Sequence, residues 1–176
     1  MHITNTEIKY LFYTNTAKDS GFQLPDGISV RKRMPKMFVD GMTEMNLGKR
    51  LFLHILSKVA VNTVKGVRPV FREYDFIRDG VVVSKAVLMS RMSETAFMPK
   101  GGLYCSFLET LAAERGKGYM SLLHRYILAD NAGKKIFVAI APDNVCSAKC
   151  AEKAGFVCYA EGYMDEKMTF HISNLK

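Results

Sequence analysis

Long apolar runs are missing from this sequence: no stretch approaches the ~20 residues that a membrane-spanning helix needs. Its beginning, MHITNTEIKY, lacks the basic-then-apolar pattern of an export signal. Four cysteines (Cys105, Cys146, Cys150 and Cys158) in a chain without that pattern read as reduced thiols of a cytoplasmic protein. Cys146 and Cys150 fall four apart on an expected helix, but no second Cys/His pair stands near them, so no metal site is expected. Repeats, low-complexity tracts and linkers are also lacking. With 48% hydrophobic and 24% charged residues, the 176-residue chain has the composition of one folded domain rather than of a disordered segment.

Dense charge of one sign is scarce too. The net charge of +8 is scattered, and the one tight run is Arg31-Lys32-Arg33 with Lys36. Alternation with Val30 and Met34 lets that run sit on a solvated strand, which makes nucleic-acid binding the weakest of the readings. An anionic small ligand suits a basic chain equally well.

What is present alternates between two periods. Residues 1–27 form a polar-leaning lead-in with a strand expected at Glu7–Tyr13, closed by the turn Pro25-Asp26-Gly27. Ile28–Met34 reads as a strand, followed by helices over about 36–46 and 49–64, the second with Leu51, Ile55, Leu56 and Val59 on one face. Val70–Ile77 and Val81–Met92 are β-rich and joined by Asp79-Gly80, a two-residue hairpin signal. Leu103–Leu111 is the next strand, Tyr119–Asn131 a helix ended by Gly133, and Ile136–Ala141 an apolar strand covered on both faces. A helix from Pro142-Asp143-Asn144 stops at Gly155, and Phe156–Met164 with Lys167–Asn174 make a last hairpin around Asp165-Glu166. The expectation is a single-domain α/β fold: a mixed sheet of about seven strands with a central parallel β-α-β crossover over 103–141. Residues 1–27 would pack on it as an extension, and 28–176 would form the domain proper.

Two glycines at a helix start need a reason, since each costs backbone entropy. In Arg115-Gly116-Lys117-Gly118-Tyr119-Met120-Ser121 the chain passes from strand to helix. The first helical turn has N–H groups without partners, reinforced by the positive end of the helix dipole. Glycines keep side chains out of the way of an approaching phosphate, Arg115 and Lys117 add charge, and Ser121 adds a hydroxyl. A Walker loop is absent, and the dinucleotide fingerprint is incomplete, with Ser121 where its third glycine belongs. The plain alternative is a strand–helix turn with solvated basic residues.

Arg115, Gly118 and their spacing match an R/Q-x-x-G-x-G/A signature, with Met120 where Gly or Ala is usual. Downstream, Asn144, Gly155 and Phe156 match N-x-x-A-x-x-x-Y-x-x-x-G-F, with Ser147 at the Ala position and Ala151 at the Tyr position. On these residues, and on the element order from Ile28 to about Asn174, the chain resembles the GNAT superfamily of acyl-CoA-dependent N-acyltransferases. The resemblance implies splayed strands about the crossover and acetyl-CoA as cosubstrate. The diphosphate would lie on Arg115, Gly116, Lys117, Gly118, Tyr119, Met120 and Ser121. The pantetheine arm would run along the backbone near Leu111 and Ala139–Ala141, with Asn144 at its distal end. The acceptor, a small-molecule or peptide amine, would contact the loop around Asn46–Lys49 and the last hairpin. A homodimer is compatible with all of this, and no membrane is implied.

Acyl transfer to an amine requires removal of a proton and, at the end, protonation of the thiolate. Glu109 is the candidate general base, in an otherwise apolar strand where Leu103, Cys105 and Phe107 would share its face. Its plain alternatives are a solvent-facing position or a pair with Arg115. The family's usual tyrosine acid is replaced by Ala151, leaving Tyr159 as a weak candidate acid, with Tyr163 and Tyr119 behind it. His124, on the helix beside Leu123 and Ile127, reads as a packing residue. The leading expectation is an N-acetyltransferase working by direct attack. A non-catalytic acyl-CoA binder or sensor is the alternative, motivated by Ala151.

Overall fold

A computed structural model describes residues 8–16, 21–34, 70–92 and 94–176, together with Leu51 and Ile55. The helices expected over 36–46 and 49–64 lie outside the described residues, except that Leu51 and Ile55 are helical and exposed. Eight strands form one sheet: β1 (Ile8–Thr16), β2 (Ile28–Arg33), β3 (Phe71–Arg78), β4 (Val81–Ser90), β5 (Leu103–Thr110), β6 (Lys135–Ile140), β7 (Val157–Met164) and β8 (Phe170–Leu175). Helix α1 (Tyr119–Asp130) connects β5 to β6, and α2 (Val145–Lys153) connects β6 to β7. The order across the sheet is β2-β3-β4-β5-β6-β1-β7-β8.

The hairpins follow local chemistry. Asp79 and Gly80 both take positive φ (49° and 75°), the backbone of a two-residue turn matched to strand twist. At the last hairpin the second strand begins at Phe170, because Asp165 organises the preceding residues. Its Oδ1 accepts from the N–H groups of Lys167 and Thr169 and its Oδ2 meets His171 Nε2 at 2.8 Å.

The lead-in strand has a position that no local pattern announces. β1 runs antiparallel to β6 on one side and to β7 on the other, so it joins the two halves of the sheet. Phe12, at its centre, is wholly buried.

Both helices cover the same face. Leu123, Ile127 and Leu128 of α1 and Ala151 of α2 pack with Tyr74, Phe76, Leu88, Leu103, Cys105, Ile136, Val138 and Phe156. The opposite face carries a second cluster, Phe71, Val87, Met89, Met98, Tyr104 and Phe137, beside Phe107, Tyr159 and Phe170. Burying these side chains supplies most of the driving force for folding, at roughly 1.5–3 kcal/mol for each large one.

Between β5 and β6 the parallel pairing is brief. Only Leu103↔Ile136 and Tyr104↔Phe137 are in register, although β5 continues to Thr110 and β6 to Ile140. The strands therefore part after Tyr104 and Phe137. A β-bulge lies just beyond: Val87 faces Ser106 while Lys85 faces Glu109, so β5 carries one extra residue. Phe107 sits at φ 50°, the left-handed conformation that a bulged position uses and a phenylalanine otherwise avoids.

Candidate functional site

The bulge decides where Glu109 points. Residues directly opposite in an antiparallel pair project to the same face, so Glu109 shares the face of Lys85. Phe107 belongs to that face, but Leu103 and Cys105 belong to the helix-covered one. The expectation that all three would flank Glu109 is corrected in this respect. Strict alternation along β5 is inverted by its one extra residue. One Glu109 carboxylate oxygen, Oε2, is buried and lacks a hydrogen-bond partner.

The glycine turn sits where β5, after a single 3₁₀ turn (Ala112–Glu114), delivers the chain to α1. Gly116 and Gly118 hold φ of 80° and 84°, and a Cβ at either would meet nothing within 4 Å. The backbone conformation, not crowding, thus demands glycine there. No side chain caps α1 at Gly118, so its first-turn amides have no side-chain cap. Three cations surround this end. Lys117 pairs with Glu114 at 2.9 Å, Arg115 Nε donates to the Thr110 carbonyl at 3.2 Å, and Arg78 donates to the Tyr119 hydroxyl. Arg78 reaches the turn from the β3–β4 hairpin, a neighbour that local sequence spacing does not reveal.

Other expected contacts are distributed differently. Ser121 is buried on the core side of α1 with its Oγ unpartnered, and Met120 Sδ lies 3.9 Å from Ser84 Oγ. Leu111 already uses both backbone groups, its N–H to Val83 and its carbonyl from Glu114. The Ala141 carbonyl accepts from the Asn144 N–H, while the Asn144 side-chain oxygen caps α2 through Ser147 at 3.1 Å. Ala139 pairs with Phe12 of β1 and, beside the gap, adjoins Tyr104. Burial raises the Tyr104 hydroxyl above its ordinary value, and hydrogen bonds from Ser106 and the Ala139 backbone oppose that only in part.

Tyr159 lies on the Glu109 face of the sheet, half-buried, with its ring 5.9 Å from that of Phe137. Burial pushes its hydroxyl up to about 12, so it holds its proton at neutral pH. Tyr163 instead stacks on His171, and Tyr119 is engaged with Arg78. Ala151 is completely buried against α1 and the sheet. His124 is buried as well, its ring 5.4 Å from Phe156 and neither nitrogen hydrogen-bonded. Desolvation lowers that imidazole to about 4. Cys146 and Cys150 remain free thiols, and no group of three metal-ligating side chains occurs among the described residues.

The basic run of β2 is answered within the fold. Arg31 and Arg33 both reach Asp75 at 2.9 Å, Arg33 also reaches Glu73, and Lys32, on the other face, reaches Asp130 at 2.6 Å. Lys36 lies outside the described residues. Sequence reasoning missed this network, though a signal existed. Arg31/Arg33 and Glu73/Asp75 are like-charge i, i+2 pairs of opposite sign in two strands, so each pair occupies one face.

No protein-family model matches the chain, and no curated protein does. Solved structures do match. A conserved protein of unknown function from Staphylococcus epidermidis aligns with TM-score 0.59 and 8% identity over 90% of this chain and 61% of its own. A GCN5-related N-acetyltransferase from Sphaerobacter thermophilus aligns with TM-score 0.56 and 11% identity, over 90% and 51%. A GNAT-family acetyltransferase from Colwellia psychrerythraea aligns with TM-score 0.54 and 13% identity, over 88% and 53%. The chain thus spans about half to three-fifths of the length of these structures. At such identities the likeness is one of architecture. The eight-stranded mixed sheet with its central crossover has the same fold as these structures, GNAT-family acetyltransferases among them.

Proposed function

We propose that the protein is an acyl-CoA-dependent N-acyltransferase, moving an acetyl group from acetyl-CoA to an amine. The observation that carries this reading is the parting of β5 and β6 after Tyr104↔Phe137, next to an α1 N-terminus that no side chain caps. Such an end suits a diphosphate, because its amides and dipole favour negative charge. The residues present fit the group. Gly116 and Gly118 leave open space before the turn, and Arg78, Arg115 and Lys117 border it. Ser121 is not among the surface donors, being turned inward. When bound, acetyl-CoA supplies the activated acyl group.

Glu109 then works as the base. It stands at the bulged end of β5, beside the gap, with an unpartnered oxygen that can accept a proton from an acceptor ammonium. Tyr159, whose hydroxyl burial pushes up to about 12, is the candidate hydroxyl donor on the same face. A cationic acceptor would not find Asp165 available, since that carboxylate already holds the last hairpin and His171.

Thermal shift with CoA and acetyl-CoA tests the binding half of the proposal. Stabilisation at millimolar ligand is expected, and its absence overturns the reading. Thiol release over a panel of amines, with Glu109→Gln as control, tests the chemical half. A second reading, a non-catalytic acyl-CoA binder, is favoured by one observation: the position of the family's phenol is an alanine sealed in the core. It predicts binding of CoA and no thiol release with any amine.

A further inference from the structure

Across four strands the sheet carries one row of alternating charge. Arg31 of β2 is opposite Asp75 of β3, Asp75 is opposite Lys85 of β4, and Lys85 is opposite Glu109 of β5. All four side chains therefore project to one face. The row begins at the half-exposed Arg31 and ends at the bulge where β5 leaves β6. Asp75 is fully buried and Lys85 nearly so, so their charges act on neighbours with little solvent screening.

We propose that this row is a positioning device for Glu109, with Lys85 and Asp75 setting, in opposite senses, the ease with which Glu109 takes a proton. The proposal rests on the reading of Glu109 as base, and extends it to residues that touch neither substrate. Lys85 is the cation directly across from Glu109. It is held in place from the far side, its Nζ lying 3.5 Å from Glu73 Oε1. Asp75, directly across from Lys85 on its other side, draws on the same positive charge. Arg31 and Arg33 in turn both bind Asp75 Oδ2 and leave Oδ1 unpartnered and buried. Among the described residues, the charged and titratable groups on this face are Arg31, Arg33, Glu73, Asp75, Lys85 and the phenols Tyr10, Tyr104 and Tyr159. Arg115, from the following turn, is held at the Thr110 carbonyl.

The geometry makes two substitutions pull in opposite directions. Without Lys85, Glu109 faces Glu73 and Asp75 across the sheet, and two nearby like charges disfavour a carboxylate. Without the Asp75 charge, Lys85 acts on Glu109 less opposed. A residue that merely props the strand would give no such reversal of sign.

The experiment is a carboxyl ¹³C titration of Glu109 in the intact protein, beside the pH dependence of kcat/KM. Lys85→Met should move the Glu109 midpoint upward, and Asp75→Asn should move it downward. Lys85→Arg should leave it near the parent value. The acid limb of kcat/KM should move with the midpoint in each case. Should Lys85→Met fail to fold, Lys85→Gln carries the same prediction. Midpoints that stay fixed, or that move the same way in both variants, overturn the proposal. The titration needs no turnover, so shifts of opposite sign in a protein that never releases thiol would keep the row and remove the enzyme reading instead.

Discussion

Arg33 Nη2 lies 3.1 Å from Glu73 Oε1 and 2.9 Å from Asp75 Oδ2, so one guanidinium nitrogen bridges two buried carboxylates. Arg33→Met should therefore leave two acidic groups under-compensated in a low-dielectric site. The expected loss is about 3–5 kcal/mol, the cost of breaking a buried ion pair by removing one partner. Urea denaturation at neutral pH checks it, and a loss below ~1 kcal/mol would mean that solvent reaches the pair.

His124 gives the protein a stability that depends on pH. Its imidazole titrates near 4 in the fold against 6.5 ordinarily, so the folded state prefers the neutral ring. In that window the unfolded chain binds the extra proton. The contribution is thus complete above pH 6.5 and is progressively lost as pH falls towards 4. A gap of that size corresponds to a few kcal/mol, at about 1.4 kcal/mol per pH unit. His124→Leu should flatten the slope between those values and match or exceed the parent at neutral pH, because two unpartnered buried nitrogens disappear. Thermal melts across pH 4–7 measure both effects.

Gly118 combines a left-handed φ of 84° with open space in front of it. Gly118→Ala should cost about 1–2 kcal/mol of stability through backbone strain alone. Under the proposed function it should also weaken CoA binding, since a methyl group enters the space before the first-turn amides. Calorimetric titration beside chemical denaturation separates the two effects. Unchanged affinity in the strained variant would place the anion elsewhere.

Asp165→Ala removes the acceptor that organises residues 165–169 and the partner of His171. The bond to His171 and the backbone N–H groups hold the Asp165 carboxyl below its ordinary value of 3.8. Its contribution is therefore present above pH 3.8 and lost as pH falls through the lower, folded value. The melting temperature of Asp165→Ala should lie below the parent at neutral pH, and the difference should shrink under acid.

Local signals carried most of the element order, because each rests on chemistry within a few residues. Asp79-Gly80 closes a hairpin through its own backbone preferences. The apolar run ending at Ala141 makes a strand buried between neighbours on both sides. The helix ending before Gly133 follows the same logic, with that glycine at φ 79°. Long-range pairing was not legible. Nothing in Ile8–Thr16 announces a place between β6 and β7, since its alternation satisfies an edge or a centre equally. The bulge was also hidden: Phe107 has no turn chemistry of its own, and the extra residue shows only against the register of β4. That one residue turned Glu109 away from Leu103 and Cys105 and towards Lys85. The glycine turn was legible as a shape, whereas Arg78 and the inward Ser121 became apparent only with the packing of the hairpin and α1.

The most direct measurement is amide NMR of the protein titrated with CoA. The account predicts saturable shifts concentrated at Gly116–Tyr119 and on both flanks of the opening, near Thr110 in β5 and Ala139 in β6. Shifts confined to another surface, or none at millimolar CoA in a folded protein, would contradict it.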